Sequence, residues 1–474
     1  MLGIALAIRR PISSRHWCTR IRSPPRISPF TRRSGLCTTA ILHPRPSTLD
    51  PSLPLPLELP TIQNWSCHNC GGCCRQHAVA ITAAEHERIA AQNWTAEDGI
   101  PAGQPLFERA GLFPWSQWHR LAHQPDGACV FLNERGLCRI HAKFGEAAKP
   151  LACRIYPYAF HPAGKKVAVS LRFSCPSVAA NRGTSVAAQQ RELKVLERLV
   201  VPEAADRIPP PEITPGQKLD WPDTLKVVGQ LDEVFASGAG NATVRLLHAL
   251  KLVDLIGQSR LRKIRGPRLG EFLEIVTAAV RDEVPADPAA VPEPTRAGRL
   301  QFRMLCAQYS RRDMAGERNS LWRIRWRLFR MALRFARGTG QVPAVQELFA
   351  EVPFSDLERA FGPLPHEADE VLIRYLRVKI QGLHFCGPAY YNVPLVEGFQ
   401  SLALVIPAVL WIARWLALGQ GRTKLETADV AQAVSIADHH HGYSPAFGQS
   451  GFRRRVRLLA RVDDISKLAA WYSR

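Results

Sequence analysis

The sequence predicts an α+β protein, in which a small, loop-rich cysteine-cluster module with a short strand and helices precedes a mainly α-helical C-terminal region. Three observations lead to this prediction. Eight of the twelve cysteines lie between residues 67 and 175. The segment 167–173, VAVSLRF, is rich in β-branched residues and lies between Gly164 and Pro176, as is typical of a strand. From residue 189 onwards, apolar residues recur at helical spacing.

The chain of 474 residues is long enough for about two or three domains with buried cores. Residues 1–49 contain nine arginines and no acidic residue. We interpret residues 1–60 as a disordered basic extension, which resembles either an organellar transit peptide or sequence read from an upstream start codon. We predict four further regions: a cysteine-cluster domain at 61–185, a helical region at 186–283, a Pro-rich linker at 284–298 and a helical C-terminal domain at 299–474.

The opening residues do not resemble a secretory signal. The apolar run in MLGIALAIRR is short, and its arginines follow it where a signal would place them first. Dense disulfides belong mainly to small secreted proteins. We therefore predict a cytoplasmic location with reduced thiols.

Local signals predict the individual elements. Thr82 and Glu85 have the spacing of a capping box, which predicts a short helix from Thr82 to about Gln92. The segment 284–298 contains four prolines and no apolar periodicity, as is typical of a linker. Helical periodicity predicts helices at 189–200, 225–235, 243–257, 321–337, 367–382 and 399–418.

The apolar run 401–419 approaches the roughly 20 residues that span a bilayer. However, Arg414 would lie within the span, and Pro407 interrupts it. We therefore predict a buried core helix and no transmembrane span.

The cysteines form a pattern that indicates metal binding. Four lie in a CxxCxxCC run in which glycines allow the backbone to fold tightly. A disulfide between the two adjacent cysteines would be strained, and CxxC is a common ligand pair for zinc and iron-sulfur centres. The predicted metal ligands are Cys67, Cys70, Cys73, Cys74, Cys129, Cys138, Cys153 and Cys175. Eight thiols exceed the four that one zinc ion or one 4Fe-4S cluster needs, so either two centres exist or some thiols are spare.

This order of motifs resembles the YkgJ-type CxxCxxCC cysteine-cluster family, a zinc- or iron-chelating domain. The resemblance rests on the run 67–74, on Cys129, on the Gly-x-Cys-x-Ile step at 136–140, and on Pro150 with the Cys-Arg-x-Tyr-Pro at 153–157. Flagellin lysine N-methylases are similar in their Ser-Cys-Pro at 174–176 and in a helix at 373–376. Their first cysteines are spaced more loosely than in this chain.

The similarity to flagellin N-methylases implies methyl transfer from S-adenosylmethionine to a lysine of a protein substrate, with an iron-sulfur centre taking part. The sequence itself contains no Gly-rich loop between a strand and a helix of the kind that holds a nucleotide. Three hypotheses follow. The first is a metal-binding protein which, if it is an enzyme, is an iron-sulfur methyltransferase or oxidoreductase. The second is an S-adenosylmethionine-dependent lysine methylase, and the third is a structural zinc module of an interaction protein. No catalytic residue is predicted.

Several charged residues and histidines are candidates for further site residues. His68, His77 and His141 lie near cysteines, but the thiols already exceed the number needed. Arg139 and Arg154 each follow a cysteine, where they either lower the pKa of a thiol or form surface ion pairs. Three adjacent histidines rarely face one centre, so we interpret 438–441 (DHHH) as a solvated loop.

The segment 320–338 alternates arginines with aromatic residues, in a chain of net charge +21. Such a helix could bind a membrane surface, nucleic acid or an acidic protein. From the sequence we favour a packed helix with a solvated basic face.

Overall fold

The computed structural model describes residues 55–109, 119–311 and 321–474, so the prediction for residues 1–54 lies outside the described residues. The predicted α+β class is confirmed. In the described part of the chain, the strands are β1 (Leu57–Glu58), β2 (Ala80–Ile81), β3 (Phe107–Arg109), β4 (His119–Leu121), β5 (Tyr158–Pro162) and β6 (Val167–Leu171).

These strands form two small sheets, each of three strands. In the first sheet, β5 and β6 form an antiparallel hairpin, and β1 pairs in parallel with β6. In the second sheet, β4 lies between β2 and β3 and is antiparallel to both. The strand predicted at 167–173 is therefore present, and it is the central strand of the first sheet.

Short helices alternate with these strands in the cysteine module. The helix predicted from Thr82 is confirmed, because Thr82 caps it and exchanges hydrogen bonds with Glu85 in a capping box. The helices of the module are α1 (Gly72–Gln76), α2 (Ala83–Ala90), α3 (Arg139–Phe144), α4 (Leu151–Ile155) and α5 (Pro176–Ala179).

Longer helices make up the rest of the described chain, as the apolar periodicity predicts. They are α6 (Gln190–Val200), α7 (Trp221–Ala236), α8 (Ala242–Gln258), α9 (Pro267–Glu283), α10 (Arg296–Ser310), α11 (Leu321–Arg337), α12 (Phe354–Leu357), α13 (His366–Gln381), α14 (Leu395–Ala403), α15 (Val405–Gly419), α16 (Thr427–His440), α17 (Ser450–Arg461) and α18 (Asp464–Tyr472).

Different parts of the cysteine module pack in two separate hydrophobic cores. A small core around Ile89, Phe131 and Ile140 holds the part of the module that contains β2–β4 and α2–α3. The strands β5 and β6, together with Cys175 and Val178, instead belong to the main core that the long helices share. The end of the module is thus packed directly on the helical region.

The helix pair α14–α15 lies at the centre of the main core. By length and composition, residues 395–419 could cross a membrane, but 89% of their most apolar window is buried inside the protein. Arg414 is fully buried there, and its guanidinium donates to four backbone carbonyls, those of Leu357, Arg359, Tyr472 and Arg474. These acceptors offset the cost of burying the charge, in agreement with the prediction of a core helix.

Candidate metal centre and the adjoining polar band

A tight loop carries the first two cysteines of the CxxCxxCC run. Asn69 and Gly71 both have positive φ, so the chain reverses between Cys70 and α1. Gly136 approaches this loop so closely that a β-carbon there would lie 2.3 Å from the carbonyl oxygen of Asn69. A glycine is therefore required at position 136 for the loop to pack on the segment before Cys138.

Five of the eight predicted ligands come together beside the small core. Cys73 and Cys74 lie in α1, and Cys129 follows a backbone turn. Cys138 directly precedes α3, and Cys153 lies in α4. The charge of one cysteine of this set raises the pKa of others, so the five lie within electrostatic range of one another. We call Cys73, Cys74, Cys129, Cys138 and Cys153 the inner thiol group.

Backbone hydrogen bonds hold the inner thiol group together from distant parts of the sequence. The N–H of Cys129 donates to the carbonyl oxygen of Cys74 over 2.8 Å. Isolated β-bridges pair Cys129 with His123 and Cys138 with Leu132. The positions of these cysteines therefore follow from backbone pairing, which is independent of any bound group.

Burial and mutual proximity set the protonation of these thiols. Burial raises the pKa of Cys129 to about 12 and also raises the pKa of Cys153. The thiols of Cys73 and Cys74 share a hydrogen bond, which lowers the pKa of Cys73 to about 7 and raises that of Cys74. The charge of Lys149 also lowers the pKa of Cys73. Most of these thiols stay protonated unless a cation takes the place of the protons.

The donor set fits a soft metal ion or an iron-sulfur cluster, because it consists of thiols. The sulfurs of Cys73 and Cys74 lie 3.9 Å apart. Two thiolates on one tetrahedral zinc ion lie about 3.8 Å apart, given a Zn–S distance of about 2.3 Å. Among the described residues, no set of three or more His, Cys, Asp or Glu side chains is already close enough to hold a metal ion. The sulfurs would therefore have to close in around a bound metal.

The remaining three cysteines form an outer thiol group, Cys67, Cys70 and Cys175. Cys67 and Cys70 are exposed, whereas Cys175 is buried at the start of α5. The charge of Cys70 adds to burial in raising the pKa of Cys175. The eight cysteines thus divide into five that converge and three at the outer loop and α5, and their roles as ligands stay a prediction.

Tyr156 connects both thiol groups with the helical region. Its hydroxyl lies 3.3 Å from the Oγ of Ser174. Burial raises the pKa of Tyr156, and the charges of Cys175 and Cys73 raise it further. The ring of His77, just beyond α1, packs edge-on against Tyr156 with 5.1 Å between centroids. Tyr156 is therefore in range of the thiols on one side and of polar side chains on the other.

Beyond Tyr156, polar and aromatic side chains continue into the main core. The guanidinium of Arg172 lies 3.6 Å from the centroid of the Tyr443 ring and 5.6 Å from that of Tyr156. The hydroxyl of Tyr443 lies 3.4 Å from the Nδ1 of His384. We call Tyr156, Arg172, Tyr443 and His384 the polar band.

A fully buried ion pair lies at the inner end of the polar band. The Nζ of Lys379 lies 2.6 Å from the Oδ1 of Asp438, and neither side chain is exposed. Nζ also donates to the carbonyl oxygen of Leu171 over 3.1 Å and lies 3.3 Å from the Nδ1 of His384. An ammonium group has three donors, so Nδ1 of His384 acts as an acceptor and its ring proton is on Nε2.

Asp438 also holds the segment that leads into Cys175. Its Oδ2 accepts a hydrogen bond from the N–H of Ser174 over 3.2 Å. The hydroxyl of Ser435, on the same helix, donates to the carbonyl oxygen of Ser174 over 3.0 Å. Helix α16 therefore fixes both backbone groups of the residue before Cys175.

Neutral histidines surround the buried lysine. Burial lowers the pKa of His161 and of His441 to about 3, and the charge of Lys379 adds to this effect. Burial also lowers the pKa of His384. The Nε2 atoms of His161 and His441 are buried without a hydrogen-bond partner. We call Lys379, Asp438, His161, His384 and His441 the Lys379 cluster.

The prediction of a solvated loop at 438–441 is wrong. Asp438 and His440 lie in α16, His441 caps its end, and all three are buried. The sequence contains the signal for this, because Asp438 follows the buried Val430 and Val434 at intervals of four residues and so lies on the same helix face.

The residues that accompany the cysteines have varied surroundings. His68 Nδ1 lies 3.0 Å from the Oγ of Ser177, and His141 is exposed. His77 is buried, stacks on His439, and its Nε2 has no hydrogen-bond partner. Arg139 donates to the carbonyl oxygen of Asp98 over 2.9 Å. The Nε of Arg154 is buried without a partner.

Fold and site together define a thiol-rich module that is packed on a helical domain. Residues 66–176 match the model of the CxxCxxCC family, which is described as "Putative zinc- or iron-chelating domain". This match supports a cysteine-cluster domain at residues 66–176. No curated protein and no solved structure matches the chain.

Proposed function

We propose that this protein binds a metal through its inner thiol group, as zinc or as an iron-sulfur cluster. The observation that carries this proposal is the convergence of five thiols from separate elements at one corner of the module. Cysteines that serve only as small apolar residues need no such convergence. Cys306 and Cys386 are examples, because each is buried in the main core as an isolated thiol.

The side chains of the inner thiol group would hold the metal as thiolates. Bound zinc would join the segments that carry these thiols, and an iron-sulfur cluster would in addition supply one-electron chemistry. The chain itself supplies the positive charge of Lys149 next to Cys73 and the apolar surroundings of Phe131 and Ile140. These residues would orient the thiolates and limit the access of water.

Metal and acid-labile sulfide analysis of anaerobically purified protein tests the proposal. We expect stoichiometric zinc, or iron with sulfide, in the wild-type chain. The double substitution of Cys129→Ser and Cys153→Ser should abolish binding, whereas Cys306→Ser with Cys386→Ser should leave the metal content unchanged. Metal-free wild-type protein, or equal loss of metal in both double variants, would contradict the proposal.

An iron-sulfur enzyme is the second candidate, and the polar band is the observation that favours it over a purely structural zinc module. Groups with strongly perturbed pKa values cluster at functional sites. Tyr156, which is in range of the thiols, and Tyr443 and His384, which lie further along the polar band, are such groups. A brown protein that contains sulfide would support this candidate. Colourless protein that contains zinc without sulfide would exclude it.

Lysine methylation, implied by the similarity to flagellin N-methylases, stays a prediction, as does the cytoplasmic location. Calorimetry of metal-loaded protein with S-adenosylmethionine tests the methylase prediction directly. Binding would support a methylase, and the absence of a binding signal would contradict it.

A further inference from the structure

Helix α11 presents large apolar side chains to solvent. Trp326 is 58% exposed, Phe329 is 54% exposed and Leu333 is 40% exposed. The rings of Trp326 and Phe329 stack on each other, with 5.5 Å between centroids and 22° between planes. Exposed apolar residues that adjoin in this way are typical of an interaction surface.

The opposite side of α11 is anchored in the core, so the exposed side has a fixed direction. Phe335 is fully buried and packs edge-on against Phe354 and Trp415. The guanidinium of Arg303, on α10, donates to the carbonyl oxygens of Phe335 and Ala336. Solvent exposure of Trp326 and Phe329 is therefore a consequence of how α11 packs.

Basic and apolar residues occupy adjacent strips of the exposed side. At about 100° per residue, Phe329 and Leu333 lie on one flank of Trp326. On the other flank lie three exposed arginines: Arg330, Arg334 and Arg337. A helix with aromatic and aliphatic residues beside arginines is the pattern of a helix that lies in the membrane interface.

A second basic helix lies on the other side of α10. Arg455 of α17 contacts Gln301 and Gln308 of α10, whereas Arg303 of α10 contacts α11. Residues two apart on a helix point in nearly opposite directions, so α10 lies between the two basic helices. The exposed residues of α17 include Arg454, Arg457, Leu458 and Arg461. Positive charge therefore extends beyond α11.

We propose that the exposed side of α11 binds an anionic membrane surface. The chain has a net charge of +21, and arginines near anionic headgroups are attracted to the negative surface potential of the membrane. Trp326, Phe329 and Leu333 would enter the boundary between headgroups and acyl chains, while the aliphatic parts of the arginines extend towards the phosphates.

The same residues fit other partners less well. In single-stranded nucleic acid binding, each aromatic ring offers a face to a base, but here Trp326 and Phe329 stack on each other. Leu333 extends the apolar strip without offering a ring. A second copy of this face would bring the three arginines of each chain together, and like charges oppose such a contact.

Vesicle flotation with the full, metal-loaded chain tests the proposal. We expect the protein to float with vesicles of phosphatidylcholine mixed with phosphatidylglycerol, but not with phosphatidylcholine alone, and to detach as salt is raised. Trp326→Glu with Phe329→Glu should weaken binding about tenfold or more. The matched control is Ile275→Glu with Val195→Glu, at positions that are 69% and 59% exposed on α9 and α6, and it should bind as the wild type does.

Three results would overturn the proposal. They are failure of the wild type to float with anionic vesicles, equal flotation with neutral vesicles, and unchanged binding by the α11 variant. Thermal unfolding and metal content of the variants establish that they fold as the wild type does. Binding to single-stranded RNA, or self-association that the α11 substitutions remove, in place of vesicle binding would assign α11 to another partner.

Discussion

The inner thiol group and the Lys379 cluster are both rich in titratable groups, but the two sites differ in the partners of those groups. The ammonium of Lys379 has three acceptors, and Asp438 accepts from Ser174 in addition to its ion pair. In the inner thiol group, burial raises the pKa of Cys129 and Cys153, and the charges of neighbouring cysteines raise these pKa values further. The comparison teaches that the partners of Lys379 and Asp438 come from the chain itself, whereas our proposal assigns an added cation to the inner thiol group.

Removal of the metal should produce the largest effect. A structural thiolate site can contribute about 10 kcal/mol or more to folding, because the site does not exist in the unfolded chain. We expect a chelator to lower the free energy of unfolding of the wild type by several kcal/mol in urea titrations. The control is the Cys129→Ser, Cys153→Ser variant, which should show no further loss. Equal stability with and without chelator would contradict the prediction that a metal stabilises the inner thiol group.

Breaking the buried ion pair should lower the free energy of unfolding by somewhat less than removal of the metal does. Lys379→Met leaves the carboxylate of Asp438 buried without its cation, which costs about 3–5 kcal/mol. The double variant Lys379→Met, Asp438→Leu should recover part of that loss, because no charge is left unpaired. Urea unfolding measures the free energy of unfolding of the single and the double variant.

A matched exposed pair provides the control for this prediction. In the pair of Lys251 and Glu283, the side chains are 40% and 54% exposed, so Lys251→Met should cost about 1 kcal/mol or less. Similar losses for Lys379→Met and Lys251→Met would mean that burial of the Lys379–Asp438 pair does not set its energetic role.

A further predicted effect is a pH dependence of stability from the buried histidines. His161 and His441 have pKa values of about 3 in the folded protein and about 6.5 when unfolded. Below about pH 6.5 the unfolded chain binds more protons, so stability falls as the pH falls. Each histidine contributes a slope of up to about 1.4 kcal/mol per pH unit. Between about pH 7 and about pH 5, the variant with His161→Gln and His441→Gln should lose less stability than the wild type, and equal slopes would refute this.

Local signals in the sequence predict much of the fold. The capping box at Thr82 predicts α2, and apolar periodicity predicts the long helices. The β-branched composition of 167–173 predicts β6, which the structure places at Val167–Leu171. The strand pairing could not be predicted, because β1 consists of only two residues and pairs with a strand more than a hundred residues away. Such pairing depends on the whole packed structure.

The sequence predicts the cysteines of the site but does not predict the polar band. Cysteine spacing points to metal chemistry on its own. By contrast, Lys379 and Asp438 each look like ordinary charged residues of a helix until their apolar neighbours are considered. Lys379 follows the buried Tyr375 by four residues, and Asp438 follows the buried Val434 by four. A charged residue on a buried helix face is the signal that could have revealed the Lys379 cluster.

The most direct test of the account compares the inner and outer thiol groups by metal content. Cys129→Ser with Cys153→Ser removes two inner thiols, and Cys67→Ser with Cys70→Ser removes two exposed outer thiols. The account predicts that the first variant is purified without a metal centre and that the second retains one. Retention of metal by the first variant, with complete loss in the second, would place the centre at the outer loop and contradict the account.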